Sequence, residues 1–351
     1  MPRYIFCVYL LATLAIVSSL AAPAVNNEEK GSRPAAPGRR CSTIDRRQEW
    51  RRLTLKERLS YIKSVHCLHK LPPRVKTGSA TNRHEEFQLT HVALTPRIHF
   101  VGQFYPWHRH FVTLYSKALH EECGYRGPTP YWNWSIDAEA NVPLLESPLF
   151  DPITGFGGNG VSGTYTPPTD PEAEIIIFPD ALPLEEMWKG CVQSGPFNDT
   201  SFHLNVGPGR MITNHCLVRG MDPRRLPELS KASVQRSLDA KSFEDLRLIG
   251  EGLGGIHNAG HALVGGEMLN LYSSPGDPIF YLHHAGLDWV WWKWQKADPV
   301  ARLTDISGPT TQDGTTQATL DFPLEYHAWG VNITIRDVMD SSREPSCYTY
   351  E

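Results

Sequence analysis

Several features are missing from this chain, and each absence removes a class of function. There is no basic surplus: 34 Lys and Arg face 38 Asp and Glu, a formal net charge of −4. The electrostatic footprint of a nucleic-acid binder is therefore missing. Beyond the N-terminus no stretch approaches the run of about 18 apolar residues that a membrane span needs, so the mature chain is expected to be soluble. No tandem repeat divides it. The HExxH signature of zinc proteases, with its general-base glutamate, is also absent.

What is present begins with a secretory pattern. Residues 1–21 combine Arg3, an apolar run from Ile5 to Val17, and small residues at Ser19-Leu20-Ala21. This run is too short for a span. Residues 22–40 are polar and rich in Pro and Ala, which predicts a disordered linker or short propeptide. Folding is expected from Cys41 to Glu351 as a single domain. Of the seven cysteines, Cys7 leaves with the leader. The remaining Cys41, Cys67, Cys123, Cys191, Cys216 and Cys347 suggest three disulfides in a secreted chain. Six cysteines allow about fifteen connectivities. Cys191–Cys216 is favoured within the middle insertion, followed by Cys67–Cys123 and Cys41–Cys347. Asn198 and Asn332 are candidate glycosylation sites; Asn133, inside YWNWS, is expected to be buried.

Histidines carry the chemistry. His257 and His261, at H-x3-H, share one face of a helix and can aim two imidazoles at one point. Asp277 and Pro278 then open an aromatic helix bearing His283 and His284. Neighbouring positions point about 100° apart, so only one of that pair can face the same point. No Asp or Glu stands at a ligand position. An all-imidazole set suits copper, zinc, iron or nickel and disfavours magnesium and calcium. A second group, His91, His99 and His108, offers a matching set of three.

The earlier chain reads as helices. Thr54 and Glu57 form a capping-box pattern before a stripe of Leu59, Ile62, Val65, Leu68 and Leu71. A second helix is expected from Asn82 to a break at Pro96, leaving His99 on a loop. A third is expected from Pro106 to Cys123, stopped by Gly124. Spacing alone allows His84 as an alternative to His91. His66, His69, His110 and His120 are expected on the surface or in packing or supporting positions, and His203 and His215 have no partner at ligand spacing. Residues 138–235 show little periodicity and are expected to form long loops over a helical core. Short strands are expected after Lys293.

In order, these motifs resemble the central copper-binding domain of tyrosinases, catechol oxidases and molluscan-type haemocyanins. The first signature is His91-x7-His99-x8-His108 with F-x-x-W-H-R around Trp107; PYWNW and the H-x3-H…D-P-x-F-x-x-H-H stretch follow. The segment from Cys191 to Arg219 is most similar to short fungal members. The resemblance implies a mainly α fold: a central helix bundle carrying a dinuclear copper site, with disulfide-pinned loops and a few short strands. It assigns one copper to His91, His99 and His108, and the other to His257, His261 and His284, leaving His283 unligated. The acidic pair Glu85-Glu86 with Phe87 selects His91 over His84.

The resemblance also implies an activity, with O2 as co-substrate and small phenols as substrates. O-diphenols would become o-quinones, and monophenols would be hydroxylated at the ortho position. The family's proposed water-holding pair falls on Glu251 and Asn258. A gating position falls on Leu271, thirteen residues before His284, and Ala262 leaves room above the site. Alternatives are an oxidase dedicated to one phenolic or aminophenolic natural-product intermediate, and a haemocyanin-like O2 carrier. Two departures stand out. Trp289 replaces the Arg that often follows the position of Asp288, which puts the local salt bridge in doubt. Arg97 stands where many relatives have a Cys, so no thioether to a histidine is expected. A Tyr-x-Tyr motif, Tyr348 and Tyr350, closes the chain, and no lid segment is expected after it.

Overall fold

The computed structural model describes residues 39–75, 79–177, 180–326 and 333–351. The leader, all of the linker but its last two residues, and Asn332 lie outside these. Six longer helices organise the described residues. They are α1 (Leu55–Leu68), α2 (Arg83–Ile98), α3 (Phe104–Cys123), α4 (Phe243–Glu251), α5 (Ile256–Val264) and α6 (Ile279–Ala297). Helix α3 packs against α1 and α6, and α6 also meets α5. No described helix is long and apolar enough to cross a membrane.

Local chemistry explains the helix ends. Thr54 and Glu57 form a reciprocal capping box at α1. Asn82 and Ser242 cap α2 and α4 through their side chains. Gly124 ends α3 in the left-handed conformation, φ 67°. Asp277 accepts from the Ile279 N–H at the start of α6 while holding Arg219.

Some expectations need correction. Pro96 does not break α2, which runs on to Ile98. Proline removes one backbone donor, and this one falls in the last turn, where little helix remains to disrupt. Helix α3 begins at Phe104, before Pro106. The stripe on α1 is carried by Tyr61, Ile62, Val65 and Leu68, whereas Leu59 is 42% exposed. Leu71 lies beyond the helix and packs on the core only in part. His110, expected on the surface or in a supporting position, is buried.

Strands are few and short. β1 (Asp45–Glu49) lies between β2 (Pro130–Tyr131) and β5 (Tyr348–Tyr350), parallel to both. The middle segment holds an antiparallel pair, β3 (His203–Val206) and β4 (Ile212–Cys216). The disulfides are Cys41–Cys347, Cys67–Cys123 and Cys191–Cys216, the connectivity favoured above. The first joins residues 306 apart and closes the ends of the described chain beside β1 and β5.

The doubt raised by Trp289 is resolved by long-range partners. Asp288 accepts from Arg47 at 3.1 Å, Arg109 at 2.5 Å, Tyr348 at 2.5 Å and Tyr350 at 2.6 Å, all buried. Burial alone would raise the Asp288 carboxyl, but Arg109, Arg47 and the two tyrosines outweigh it and hold the group below the ordinary aspartate range.

Candidate metal centre and active site

Two buried histidine clusters face each other in the helical core. His91 (α2), His99 (the residue that ends α2) and His108 (α3) form one. His257 and His261 (α5), with His283 and His284 (α6), form the other. In each cluster one ring nitrogen or more per residue lies within 4.8 Å of those of its neighbours. The clusters meet where His108 stacks on His284, ring centroids 4.4 Å apart.

Tautomers are set by the main chain. Nδ1–H of His91, His99, His108 and His261 donates to the carbonyls of Tyr272, Thr95, Phe104 and Met268, at 2.7, 3.0, 2.8 and 2.6 Å. That leaves Nε2 of each as a lone-pair donor, the usual supporting arrangement for a metal-binding histidine. Nε2 of His91 and of His108 is buried with no partner among the described residues. In the other cluster Nε2 of His261 lies 3.1 Å from Nε2 of His257 and 3.2 Å from Nε2 of His284. Converging, unpartnered nitrogen lone pairs in a dry core are costly unless a cation sits among them. The donor set therefore fits two metal ions held by imidazole alone. Burial lowers every one of these histidines, His99 and His261 to about 4, which keeps the rings neutral.

His283 belongs to the second cluster by distance but not by chemistry. Its Nδ1 accepts from the Trp134 indole at 3.0 Å and its Nε2–H donates to the His257 carbonyl at 3.1 Å. Both nitrogens are occupied, and the ring is held against the His257 main chain. Gly260 makes this packing possible: a Cβ there would lie 2.2 Å from the His283 ring. His84 is occupied in the same way, by Tyr115 and the Gly276 carbonyl at 3.3 and 3.1 Å.

The geometry decides the family when joined to sequence comparison. Residues 81–297 match the model for the common central domain of tyrosinase. The chain belongs to the tyrosinase family. It is 33% identical over 344 residues to Tyrosinase P of Aspergillus terreus, covering 90% of this chain and 94% of that one. N-acetyl-6-hydroxytryptophan oxidase ivoB of Emericella nidulans is also 33% identical, over 87% of this chain and 92% of its own length. Among solved structures, a single-residue mutant of a polyphenol oxidase from Thermothelomyces thermophila superposes with a TM-score of 0.76 at 30% identity. That match covers 90% of this chain and 91% of the other. This tyrosinase-family protein is accordingly a copper oxidoreductase, and the family implies a dinuclear copper site.

A cavity of about 350 Å³ opens beside His99, His257 and His261. Glu251, Asn258 and Leu271 all line it. The Glu251 carboxylate is buried and accepts from the Phe100 N–H at 2.7 Å, with Arg247 at 3.3 Å. Burial pushes this carboxyl up to about 8, against the pull of Phe100 and Arg247. The Asn258 amide donates to the carbonyls of Glu251 and Gly252, at 2.7 and 3.1 Å. Ala262 lines a neighbouring cavity with Leu253, Asn258 and Ala259.

Sequence reasoning missed Arg247, Phe100 and Trp134. Arg247 stands four residues before Glu251 on α4, a spacing that signals a helical ion pair. Nothing local marks Phe100, which adopts φ 60° and presents its amide to Glu251. Several other described histidines make contacts away from the clusters. His69 pairs with the His203 carbonyl, His215 with Glu267, His120 with the Tyr125 carbonyl, and His66 stacks on Phe197. Asn133 is half-buried between two buried tryptophans, not buried as expected.

Proposed function

We propose that the protein is a secreted phenol oxidase of the tyrosinase and catechol oxidase type. One copper would be held by His91, His99 and His108, and the other by His257, His261 and His284. The observation that carries this reading is the facing pair of three-imidazole clusters, joined by the His108–His284 stack and opening on one cavity. Such a copper pair supplies the two-electron chemistry with O2 that converts o-diphenols to o-quinones and hydroxylates phenols at the ortho position.

The chain's own residues set orientation and proton transfer. Asn258 uses its donor hydrogens on the main chain, so its remaining polar atom is an acceptor oxygen. A water donating to that oxygen and to a Glu251 carboxyl oxygen keeps its lone pair free to take a phenol proton, and this help grows as pH rises through about 8, where Glu251 ionises. A monophenol needs this help: with a pKa near 10, about one molecule in a thousand is ionised at pH 7. Leu271 borders the entry as a gate. Residues 41–351 form the catalytic domain, preceded by a leader over 1–21 and a linker over 22–40. Three disulfides support passage through an oxidising compartment. Asn198 is the described glycosylation candidate; its Oδ1 caps the turn at Thr200.

A narrower reading, an oxidase for one phenolic natural-product intermediate, is favoured by the relative named for N-acetyl-6-hydroxytryptophan. Oxygen uptake by the copper-loaded protein across a panel of catechols and monophenols tests both. Broad uptake supports the general reading. Uptake confined to one scaffold supports the narrower one. No uptake with any phenol contradicts both.

A further inference from the structure

Beyond the histidines and the Arg247, Glu251 and Asn258 side, the wall of the cavity is mainly apolar. Phe100, Ile176, Leu248, Leu253 and Leu271 border it. Leu253 is 85% exposed and Leu248 54% exposed, which is unusual for large apolar side chains grouped at one opening. Exposed apolar residues around a concave site mark a surface that a ligand covers.

Charge at this opening is equally informative. Among the described residues that line the cavity, Arg247 is the one permanent cation. Its charge is already paired: Nε and Nη2 bind Glu244 at 2.9 and 2.6 Å, and Nη1 binds Glu251 at 3.3 Å. The adjoining cavity, about 320 Å³, shares Leu253 and Asn258 with the first. Its cation, Arg225, is likewise held, by Asp180 at 2.6 Å and Asp222 at 3.3 Å, with Glu228 at 3.6 Å. A ligand carboxylate entering here loses water and gains no free cation in return. An alkyl or acyl-linked apolar group gains contact with the leucines and Phe100 instead.

We propose that this site selects phenols and catechols whose ring substituent is apolar and uncharged, and discriminates against those bearing a free carboxylate. Leu253 and Leu248 are specificity-determining residues for that choice. The inference rests on the phenol-oxidase reading above and adds a substrate class to it.

The test compares kcat/KM for oxygen uptake by the copper-loaded protein on three catechols: unsubstituted catechol, 4-ethylcatechol, and 3,4-dihydroxyphenylpropionate. The expected preference for 4-ethylcatechol over the carboxylate is about tenfold. A Leu253→Arg variant, which places a free cation at the exposed rim, is expected to narrow that gap at least threefold by raising the carboxylate's value. Unsubstituted catechol, measured on both proteins, is the reference to which the other two values are normalised. A wild-type gap below threefold, or a gap that Leu253→Arg leaves in place, overturns the substrate class while leaving phenol oxidation intact. If unsubstituted catechol itself is not consumed, the phenol-oxidase reading fails and this one falls with it.

Discussion

At the scale of single residues, the tandem His283-His284 shows how hydrogen bonding assigns roles that sequence leaves open. Helical geometry said that only one of the two could face the metal. The Trp134 indole and the His257 carbonyl occupy both nitrogens of His283, which supports the proposal that His284 is the ligand. His284→Ala is expected to lower copper from two to about one per chain, whereas His283→Ala keeps both, as measured by metal analysis of purified protein. The opposite pattern would reverse the assignment. Glu251 and Asn258 invite a different comparison. Glu251→Gln and Asn258→Gly are expected to lower monophenol turnover about tenfold more than catechol turnover, at unchanged copper content; that is the low end of general-base effects. Equal losses on both substrates would make the two residues structural. The imidazole clusters were legible in the sequence through helical spacing together with the resemblance to the family's motifs, since spacing alone left His84 and His283 open. Phe100 and Trp134 were not, because each acts through a contact between segments distant in the chain.

Among elements, the crossing of α3 and α6 is the frame of the site, since these helices carry His108 and His284. Asp288 on α6 joins Arg109 on α3 to Arg47 on β1 and to the tyrosines of β5. Removing one member of such a buried charged group leaves the others uncompensated, so Asp288→Ala is expected to cost about 3–5 kcal/mol in denaturant unfolding. Acid should act in the same direction. A carboxyl held below its unfolded value favours the folded state above about pH 3.9, and that contribution is lost as pH falls through the folded value. The variant is expected to show a shallower loss of stability on acidification than the wild type; an identical acid profile would mean that Asp288 does not carry it. Helix caps at Thr54, Asn82 and Gly124 were readable because each is a local device. β1 and β3–β4 were not readable: the first is held by long-range parallel pairing, and the hairpin lies in a segment without periodicity.

For the whole molecule, three disulfides pin the loops and the ends of the described chain around the helices. The mature protein, denatured without reductant, is expected to give no titratable thiol, and two or more thiols per chain would show that a bridge is absent. The mainly helical class and the number of bridges could be anticipated because the histidine motifs fall in helices and the cysteines are even in number; the pairing itself does not follow from the count. The cavity's apolar rim could not, since Phe100, Ile176, Leu248, Leu253 and Leu271 come from separate segments. All of these features converge on one claim: two facing sites, each built from three neutral imidazoles, hold two copper ions. The most direct measurement is the copper-to-protein ratio of the purified, copper-loaded enzyme, with zinc determined in the same sample. The account predicts two coppers per chain and no retained zinc; a single copper, or zinc as the metal held, would contradict it.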